Sequence, residues 1–239
     1  MRVQTLPICE QFTSFQGEGF LVGTPSVFIR VAGCPLRCSF CDTPYAQNVS
    51  DGTPTPLSEI VEKACFDAQH PVYPPFREGL LPEQLPQPAD RVRHIVVTGG
   101  EPMMFPQLVP LTEKLHEKGF HITIETSGIF FQPVVCDLLS LSPKLSHSGM
   151  APPENSTALR RLAESYPYQL KLVVDVPDDL AEVERFLHAH PFLAEEKVLL
   201  MPQGKNRESV RAKSAWLAQS RWKITPRAHL EWFASPRGV

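Results

Sequence analysis

Short apolar runs alternate with amphipathic segments along most of this 239-residue chain. Apolar runs of this kind occur at residues 27–31, 95–97, 122–124, 139–141, 170–174 and 198–201. Runs of strand length that alternate with segments of helical periodicity are typical of βα units around a parallel sheet. The pattern therefore predicts an α/β fold with parallel strands, in a single domain that covers residues 1–239.

Helical periodicity is clearest after Thr55. We expect Thr55 to cap this helix and Pro56 to lie in its first turn, because both residue types favour those positions. Its apolar positions at 57, 60, 61, 64, 65 and 68 form one stripe, which places Cys65 in the core. A second helix is predicted from about 106 to 118, ending at Gly119, and three more near 156–165, 179–190 and 207–219.

One segment, at about residues 70–90, departs from this alternation. Residues 71–88 include six prolines in 18 positions, which is too many for a helix. The composition predicts a long insertion at the surface of the domain. Two interpretations stay open at this point, a passive loop and a lid over a binding site.

Composition and charge narrow the class of partner. The chain has 23 basic and 26 acidic residues and no basic run interleaved with aromatic residues, so we expect a small-molecule substrate and no nucleic acid. The N-terminal residues lack the apolar region of a secretory signal, and no apolar stretch approaches the roughly 20 residues that span a bilayer. We expect a cytoplasmic protein without a membrane partner and without structural disulfides.

Chemically distinctive residues follow the apolar runs. They are found at 33–43, 98–101, 125–128, 142–144 and 201–204, in each case just after a predicted strand. Ligands bind at the carboxyl edge of parallel sheets and barrels. We therefore expect these loops to build one site.

The first of these loops holds Cys34, Cys38 and Cys41 at C-x3-C-x2-C spacing. Three thiolates so close together suit an iron–sulfur cluster that keeps one iron open, whereas a structural zinc site needs a fourth ligand. The alternative is a zinc site completed by His121 or Cys136. Cys9, Cys65 and Cys136 lack such spacing and are interpreted as small apolar side chains.

The loop after residue 97 reads Thr98-Gly99-Gly100-Glu101-Pro102. Two residues without Cβ atoms let a ligand approach the backbone, and Glu101 supplies an anionic acceptor that fits an amino group. By itself this sequence is more often only a tight turn. Beside a three-cysteine loop it resembles the signature of radical S-adenosylmethionine (SAM) enzymes.

Further segments narrow the resemblance. Segments spread over nearly the whole chain resemble, in matching order, the 7-carboxy-7-deazaguanine synthase family. They are residues 12–19, 23–30, 33–43, 98–102, 125–128 and 142–144, together with Gln203 and His229. This resemblance implies an incomplete or modified (β/α) barrel. It also implies a carbon–nitrogen lyase that converts 6-carboxy-5,6,7,8-tetrahydropterin to 7-carboxy-7-deazaguanine with loss of ammonia, in queuosine biosynthesis. The implied cofactors are a 4Fe–4S cluster, SAM and Mg²⁺.

The same resemblance implies a role for individual residues and no dedicated acid or base. The cluster ligands are Cys34, Cys38 and Cys41, and Thr43 is the Mg²⁺ ligand. The SAM-binding residues are Phe40, Asp42, Gly99, Gly100, Glu101, Ser127, Ser142, Lys144, Met201 and Gln203. The substrate-binding residues are Phe15, Gln16, Gly17, Arg30, Thr98 and His229.

Five of these assignments compete with plainer interpretations. Thr98 as a substrate contact rests on the resemblance alone, and His229 could be an ordinary surface or core residue. Arg30 shares a strand face with Phe28 and Ala32, from which its guanidinium could bind a carboxylate bidentately, or it could face solvent. Lys144 could be an exposed surface lysine. Thr43 could simply cap a helix.

The resemblance also sets expectations for the whole protein. It implies a homodimer and a reductant such as flavodoxin. Residues 230–239 extend beyond the usual end of relatives, and Phe40 replaces a tryptophan that is frequent there. Two rival functions stay open, a radical SAM activase that installs a glycyl radical on a partner protein and a non-catalytic cysteine-rich metal-binding module.

Overall fold

The apolar runs of the sequence form neighbouring strands of one open sheet. The structure is a computed structural model that describes residues 3–150 and 157–233. Within these ranges nine strands pair in the order β3-β1-β2-β4-β5-β6-β7-β8-β9. The strands are β1 (Thr5–Phe15), β2 (Pro25–Val31), β3 (Thr53–Pro56), β4 (His94–Gly99), β5 (His121–Thr126), β6 (Leu138–Leu141), β7 (Tyr168–Val174), β8 (Val198–Pro202) and β9 (Lys223–Ile224).

Strand direction divides the sheet into two parts. From β2 through β4 to β9 each neighbouring pair is parallel, which confirms the α/β prediction and the incomplete barrel. The parallel pattern stops at β2, because β1 runs antiparallel to β2 and β3 antiparallel to β1. The sequence pattern does not predict β1, since buried and half-buried positions do not alternate along it.

The helices are α1 (Leu57–Gln69), α2 (Leu108–Glu117), α3 (Thr157–Ser165), α4 (Asp179–Ala189), α5 (Arg207–Leu217) and α6 (Ala228–Trp232). Those from α1 to α5 match the predicted segments, and Gly119 takes the left-handed conformation after α2 with φ of 79°. The predicted cap of α1 is wrong. Thr55 pairs with Leu6 in the sheet and its hydroxyl donates to the Thr53 carbonyl, so that Pro56 occupies the cap position.

The two faces of the sheet differ in chemistry. On the outer face the apolar residues of the parallel strands, such as Ile29, Ile95 and Leu172, pack against the helices and form the main core. On the inner face a row of buried polar side chains crosses β2, β4 and β5. In this row Nδ1 of His94 lies 2.7 Å from Ser26 Oγ, and its Nε2 lies 2.8 Å from Thr123 Oγ1. The inner face is therefore built to meet polar groups.

The proline-rich stretch lies between α1 and β4 and contains no α-helix, only a 3₁₀ turn at Pro82–Gln84. It is attached to β1 through Thr13, whose hydroxyl donates to the carbonyl of Val72 at 2.7 Å and accepts from its amide at 2.9 Å. None of the described helices has the length and apolar character needed to cross a membrane.

Candidate active site

A cavity of about 480 Å³ lies on the inner face of the sheet at the carboxyl ends of the parallel strands. This volume falls within the range of about 300–1,000 Å³ that small-molecule sites occupy. Every residue assigned to the cluster, to SAM, to Mg²⁺ or to the substrate lines it. They are Phe15, Gln16, Gly17, Arg30, Cys34, Cys38, Phe40, Cys41, Asp42, Thr43, Thr98, Gly99, Gly100, Glu101, Ser127, Ser142, Lys144, Met201, Gln203 and His229.

The cysteine loop is held by backbone hydrogen bonds at both ends. The amide of Cys34 donates to the carbonyl of Gln47 at 2.9 Å, and the amide of Ser39 donates to that of Ser148 at 2.9 Å. Cys34, Cys38 and Cys41 are all free thiols that are half-buried in the cavity wall. Soft thiolate donors on one short loop fit an iron–sulfur cluster.

The donor set does not fit the zinc alternative. Among the described residues no three His, Cys, Asp or Glu side chains are grouped closely enough to hold a metal ion, the three cysteines included, so this finding does not distinguish zinc from iron. Both candidate fourth ligands are at the wrong edge, because His121 begins β5 and Cys136 precedes β6, whereas the cysteine loop follows the end of β2. Burial raises the pKa of the Cys136 thiol to about 12, which agrees with its interpretation as a small apolar side chain.

Glycines lock the β4 loop against the cysteine loop. The amide of Gly100 donates to the carbonyl of Val31 and that of Glu101 to the carbonyl of Gly33, at 2.9 and 2.8 Å. Gly99 has φ of 125°, and a Cβ atom on Gly100 would lie 2.1 Å from the Gly33 oxygen. These positions require glycine for backbone packing, in addition to any approach of a ligand.

Glu101 is buried, and its carboxylate joins the loops after β4 and β5. One oxygen accepts from Thr126 Oγ1 at 2.6 Å and from the Met103 amide at 3.1 Å. The other accepts from the amide of Ser127 at 2.8 Å and from its hydroxyl. Two of the four donors are hydroxyl groups, which can rotate away and be replaced by a ligand ammonium group.

The loops after β6 and β8 complete this end of the cavity. Lys144 is half-buried and donates to Ser142 Oγ at 3.1 Å, so the exposed-lysine interpretation is wrong. Burial lowers the pKa of Lys144. Lys213, on α5, holds the Gln203 side chain in place, because its Nζ donates to Gln203 Oε1 at 2.8 Å.

Arg30 lines the cavity from strand β2. Its side chain is only 13% exposed, which contradicts the solvent-facing interpretation. Nε donates to Glu10 Oε1 at 2.5 Å, and the same oxygen accepts from the Tyr45 hydroxyl at 3.1 Å. Within the described residues no hydrogen bond engages Nη1 or Nη2, so the outer fork of the guanidinium is available for a ligand.

Glu125 lies beside Arg30 on the inner face, although it is absent from the residue roles assigned from sequence. Its Oε2 accepts from Thr98 Oγ1 at 2.7 Å and its Oε1 from Gln16 Nε2 at 3.2 Å. Thr98 in turn is the register partner of Arg30 in the β2–β4 pairing. The carboxylate is thus fixed in position between two predicted substrate-binding residues.

A buried ion-pair group was missed by sequence reasoning. Lys171, in the middle of an apolar run, donates to the carboxylate of Glu18, and Arg227 lies 3.4 Å from the other oxygen of that carboxylate. Burial alone would raise the pKa of Glu18, but the positive charges of Lys171 and Arg227 lower it to about 2. A lysine inside a buried strand was the available signal, since such a charge needs a partner.

His229, in α6, and Thr43, just after the cysteine loop, line the same cavity. The amide of Ala228 donates to the Gly17 carbonyl at 2.9 Å, and a Cβ on Gly17 would lie 2.4 Å from His229 Nδ1. Thr43 precedes a 3₁₀ turn but makes no capping hydrogen bond; its hydroxyl donates to Asp42 Oδ1 at 2.7 Å. Of the predicted C-terminal extension, residues 234–239 lie outside the described residues.

Comparison with known proteins agrees with this geometry. Residues 28–182 match the Radical SAM superfamily. The 7-carboxy-7-deazaguanine synthase of Rhodopirellula baltica is 36% identical, over 98% of this chain and 89% of the relative. The protein of the same name from Pyrobaculum aerophilum is 34% identical, over 97% of this chain and 96% of the relative.

Solved structures share the fold. The crystal structure of QueE from Escherichia coli superposes with a TM-score of 0.63 at 26% identity, covering 94% of this chain and 95% of that chain. TYW1 with a lysine-pyruvate adduct bound superposes with a TM-score of 0.52 at 13% identity, a likeness of fold alone. The matched residues, the near-complete coverage and the cavity that the assigned residues line lead to one conclusion: the chain belongs to the radical SAM superfamily and, within it, to the 7-carboxy-7-deazaguanine synthase family.

Proposed function

We propose that this enzyme converts 6-carboxy-5,6,7,8-tetrahydropterin to 7-carboxy-7-deazaguanine with loss of ammonia, in the biosynthesis of 7-deazapurines such as queuosine. The observation that carries the proposal is the row Arg30, Thr98 and Glu125 across three neighbouring strands. A carboxylated pterin needs a cation for its carboxylate and an acceptor for its ring N–H groups. This row offers both on one cavity wall.

Each residue of the row has a distinct task. Because Glu10 holds Nε of Arg30, the two Nη atoms face a substrate carboxylate as a preoriented fork. Thr98 and Gln16 fix Glu125, which accepts hydrogen bonds from the pterin edge. The protein's contribution is therefore mainly to orient the substrate and exclude water.

The cofactor residues occupy the rest of the cavity. Cys34, Cys38 and Cys41 would hold the 4Fe–4S cluster, and the loops after β4, β5, β6 and β8 would hold SAM. When bound, the cluster and SAM supply the 5′-deoxyadenosyl radical that begins the reaction. Glu101 would receive the SAM ammonium group once a Thr126 or Ser127 hydroxyl rotates away.

For Mg²⁺ we propose Thr43 as the single protein ligand. Its hydroxyl is a neutral oxygen donor at the cavity wall, of the kind that Mg²⁺ accepts when substrate and water complete the octahedron. We further propose that the chain acts as one domain in a cytoplasmic homodimer and receives electrons from a flavodoxin-type reductant.

Anaerobic turnover tests the proposal. Reconstituted enzyme, SAM, Mg²⁺, dithionite and the pterin should give 7-carboxy-7-deazaguanine by mass spectrometry, and Cys38→Ala should abolish it. Arg30→Ala should lower kcat/KM for the pterin about 100-fold or more through the loss of a charge-assisted pair. Arg221→Ala, at an exposed ion pair, is the matched control and should leave turnover unchanged.

Two outcomes would point elsewhere. Formation of 5′-deoxyadenosine without ring contraction would reject the pterin as substrate while keeping the radical SAM chemistry. A protein substrate, as in the glycyl-radical activase alternative, would then be tested next. Purified protein that contains zinc and no iron would instead favour the metal-binding module.

A further inference from the structure

Five aromatic side chains pack together beside the cavity, and we name them the aromatic buttress: Phe15, Tyr73, Phe76, Trp232 and Phe233. The ring of Phe15 stacks on Tyr73 at 4.6 Å and on Phe76 at 5.7 Å between centroids, and Phe76 stacks on Phe233 at 5.4 Å. Phe15 is fully buried and Phe233 is 1% exposed. Both lie outside the main core cluster on the helical side of the sheet.

The buttress joins three distant segments of the chain. Phe15 ends β1, Tyr73 and Phe76 belong to the proline-rich insertion, and Trp232 and Phe233 lie at the end of α6. Backbone contacts join the last two segments directly, since Phe76 forms an antiparallel bridge with Phe233 and the amide of Arg77 donates to the Trp232 carbonyl at 2.8 Å. Trp232 Nε1 also donates to the carbonyl of Gln84 at 3.1 Å.

This attachment bears on the active site because α6 carries His229. Helix α6 has only five residues, too few to be stable without tertiary contacts. The amide of Phe233 donates to the His229 carbonyl at 3.1 Å, and Phe15 itself lines the cavity next to Gln16. The insertion thus supports the wall of the site from behind and lines no part of the cavity itself.

We propose that the insertion is a fixed support, in which Phe76 is a positioning residue that sets His229 and Phe15 in the substrate wall. The inference rests on the proposed function in one respect, that His229 and Phe15 face the pterin. It assigns to the proline-rich segment a role in substrate affinity and excludes motion as a lid. The SAM-binding loops contact no member of the buttress through a described hydrogen bond or ring contact. Their link to α6 runs through Arg227, which precedes the helix at the end away from Phe233.

The test compares Phe76→Ala, Phe76→Leu and the control Phe66→Ala, which removes a phenylalanine that is 62% exposed on α1. Phe76→Ala should raise KM for the pterin about five- to tenfold, because displacement of a contact residue weakens substrate orientation. KM for SAM should stay within about twofold. Phe76→Leu should restore most of the affinity, and Phe66→Ala should match wild type.

Hydrogen exchange supplies a readout that is independent of turnover. In the free wild-type protein, amides of residues 76–77 and 228–233 should be protected, and Phe76→Ala should lose this protection while β4 to β8 keep theirs. Protection that develops at 72–84 only on addition of pterin would overturn the proposal in favour of a lid. An unchanged pterin KM in Phe76→Ala, or equal rises in KM for pterin and SAM, would also overturn it.

A failure of the proposed function can be distinguished from a failure of this inference. If the wild-type protein does not turn over the pterin, the function is wrong, whereas the exchange pattern still decides whether the insertion holds α6. If wild type turns over the pterin and Phe76→Ala behaves like the Phe66→Ala control, the inference alone is wrong.

Discussion

The guanidinium of Arg227 contacts the carboxylate of Asp42, a residue 185 positions earlier in the chain. Arg227 also donates to the carbonyl of Gly204 and lies 3.4 Å from Glu18. One buried side chain therefore joins the cysteine loop, the loop after β8 and the segment that begins at Gln16. These three pieces serve the cluster, SAM and the substrate in the proposed function.

Replacement of Arg227 by Gln should loosen this junction. The change leaves Glu18 buried with Lys171 as its one remaining ion-pair partner among the described residues, and it should cost about 3 kcal/mol of unfolding free energy. It should also raise the ratio of 5′-deoxyadenosine to product, because the segments proposed to hold SAM and the substrate can then move relative to each other. Denaturant unfolding and product analysis measure the two effects. The prediction would be refuted if Arg227→Gln and the surface control Arg221→Gln had the same unfolding free energy and the same ratio of 5′-deoxyadenosine to product.

Arg30→Lys tests geometry at constant charge. Lysine keeps the cation but lacks the planar fork, and it cannot engage Glu10 and a substrate carboxylate together. KM for the pterin should rise about tenfold, with KM for SAM unchanged. Steady-state kinetics with each substrate varied in turn provides the measurement. A lysine variant with wild-type affinity would show that the pterin carboxylate binds elsewhere.

Glu125→Gln removes a charge without changing shape. Thr98 and Gln16 would lose an anionic acceptor, and an N–H group of the pterin would face an amide in place of a carboxylate. We expect kcat/KM to fall about 10- to 100-fold, the range that corresponds to a hydrogen bond to a charged group. SAM affinity, measured by equilibrium binding, should not change. A weaker SAM complex would show that Glu125 contacts SAM and not the pterin.

Gly100→Ala should prevent the cysteine loop from closing. Its added Cβ would lie 2.1 Å from the Gly33 oxygen, so the two loops must separate. We expect reconstituted protein to hold markedly less iron and to show a weakened charge-transfer absorption. Gly119→Ala is the control, because that glycine has left-handed φ but open space around it and should cost only about 1–2 kcal/mol. Full iron content in Gly100→Ala would contradict the packing argument.

Buried His94 should make stability depend on pH. Burial, assisted by nearby His121, lowers the pKa of His94 from 6.5 to about 4. The unfolded chain therefore binds more protons between these values, and the unfolding free energy should fall by up to about 3 kcal/mol as pH drops from 6.5 to 4. Urea titrations of cluster-free protein measure this slope. His94→Gln should flatten it, and exposed His116→Gln should not.

Sequence alone predicted most of the parallel sheet and, for a physical reason, the loops that line the cavity, whereas Phe15, Thr43 and His229 were assigned from the family resemblance. Cys34, Gly99 and Ser127 lie in short loops directly after apolar strands, so their convergence follows from the geometry of parallel sheets. The local pattern also predicted where α2 ends, at Gly119.

What the sequence could not predict depends on contacts between distant segments. Lys171, Glu18 and Arg227 find one another only after β7, the end of β1 and α6 have come together, and none has a local motif. Likewise β1 gains its strand form from pairing with β2 and β3, because its own residues lack alternation. The pairing of β3 with β1 also explains why Thr55 lies in a strand and does not cap α1.

The division of the sheet into an apolar outer face and a polar inner face has an evolutionary consequence. Folding depends mainly on the outer layer, where Ile29, Ile95 and Leu172 meet the helices. Residues such as Arg30 and Glu125 can therefore be exchanged at small cost to the fold, provided that their partners change with them. If the roles under Proposed function hold, a scaffold of this kind can take a new substrate by mutation of one wall while the residues that would hold the cluster and SAM stay unchanged.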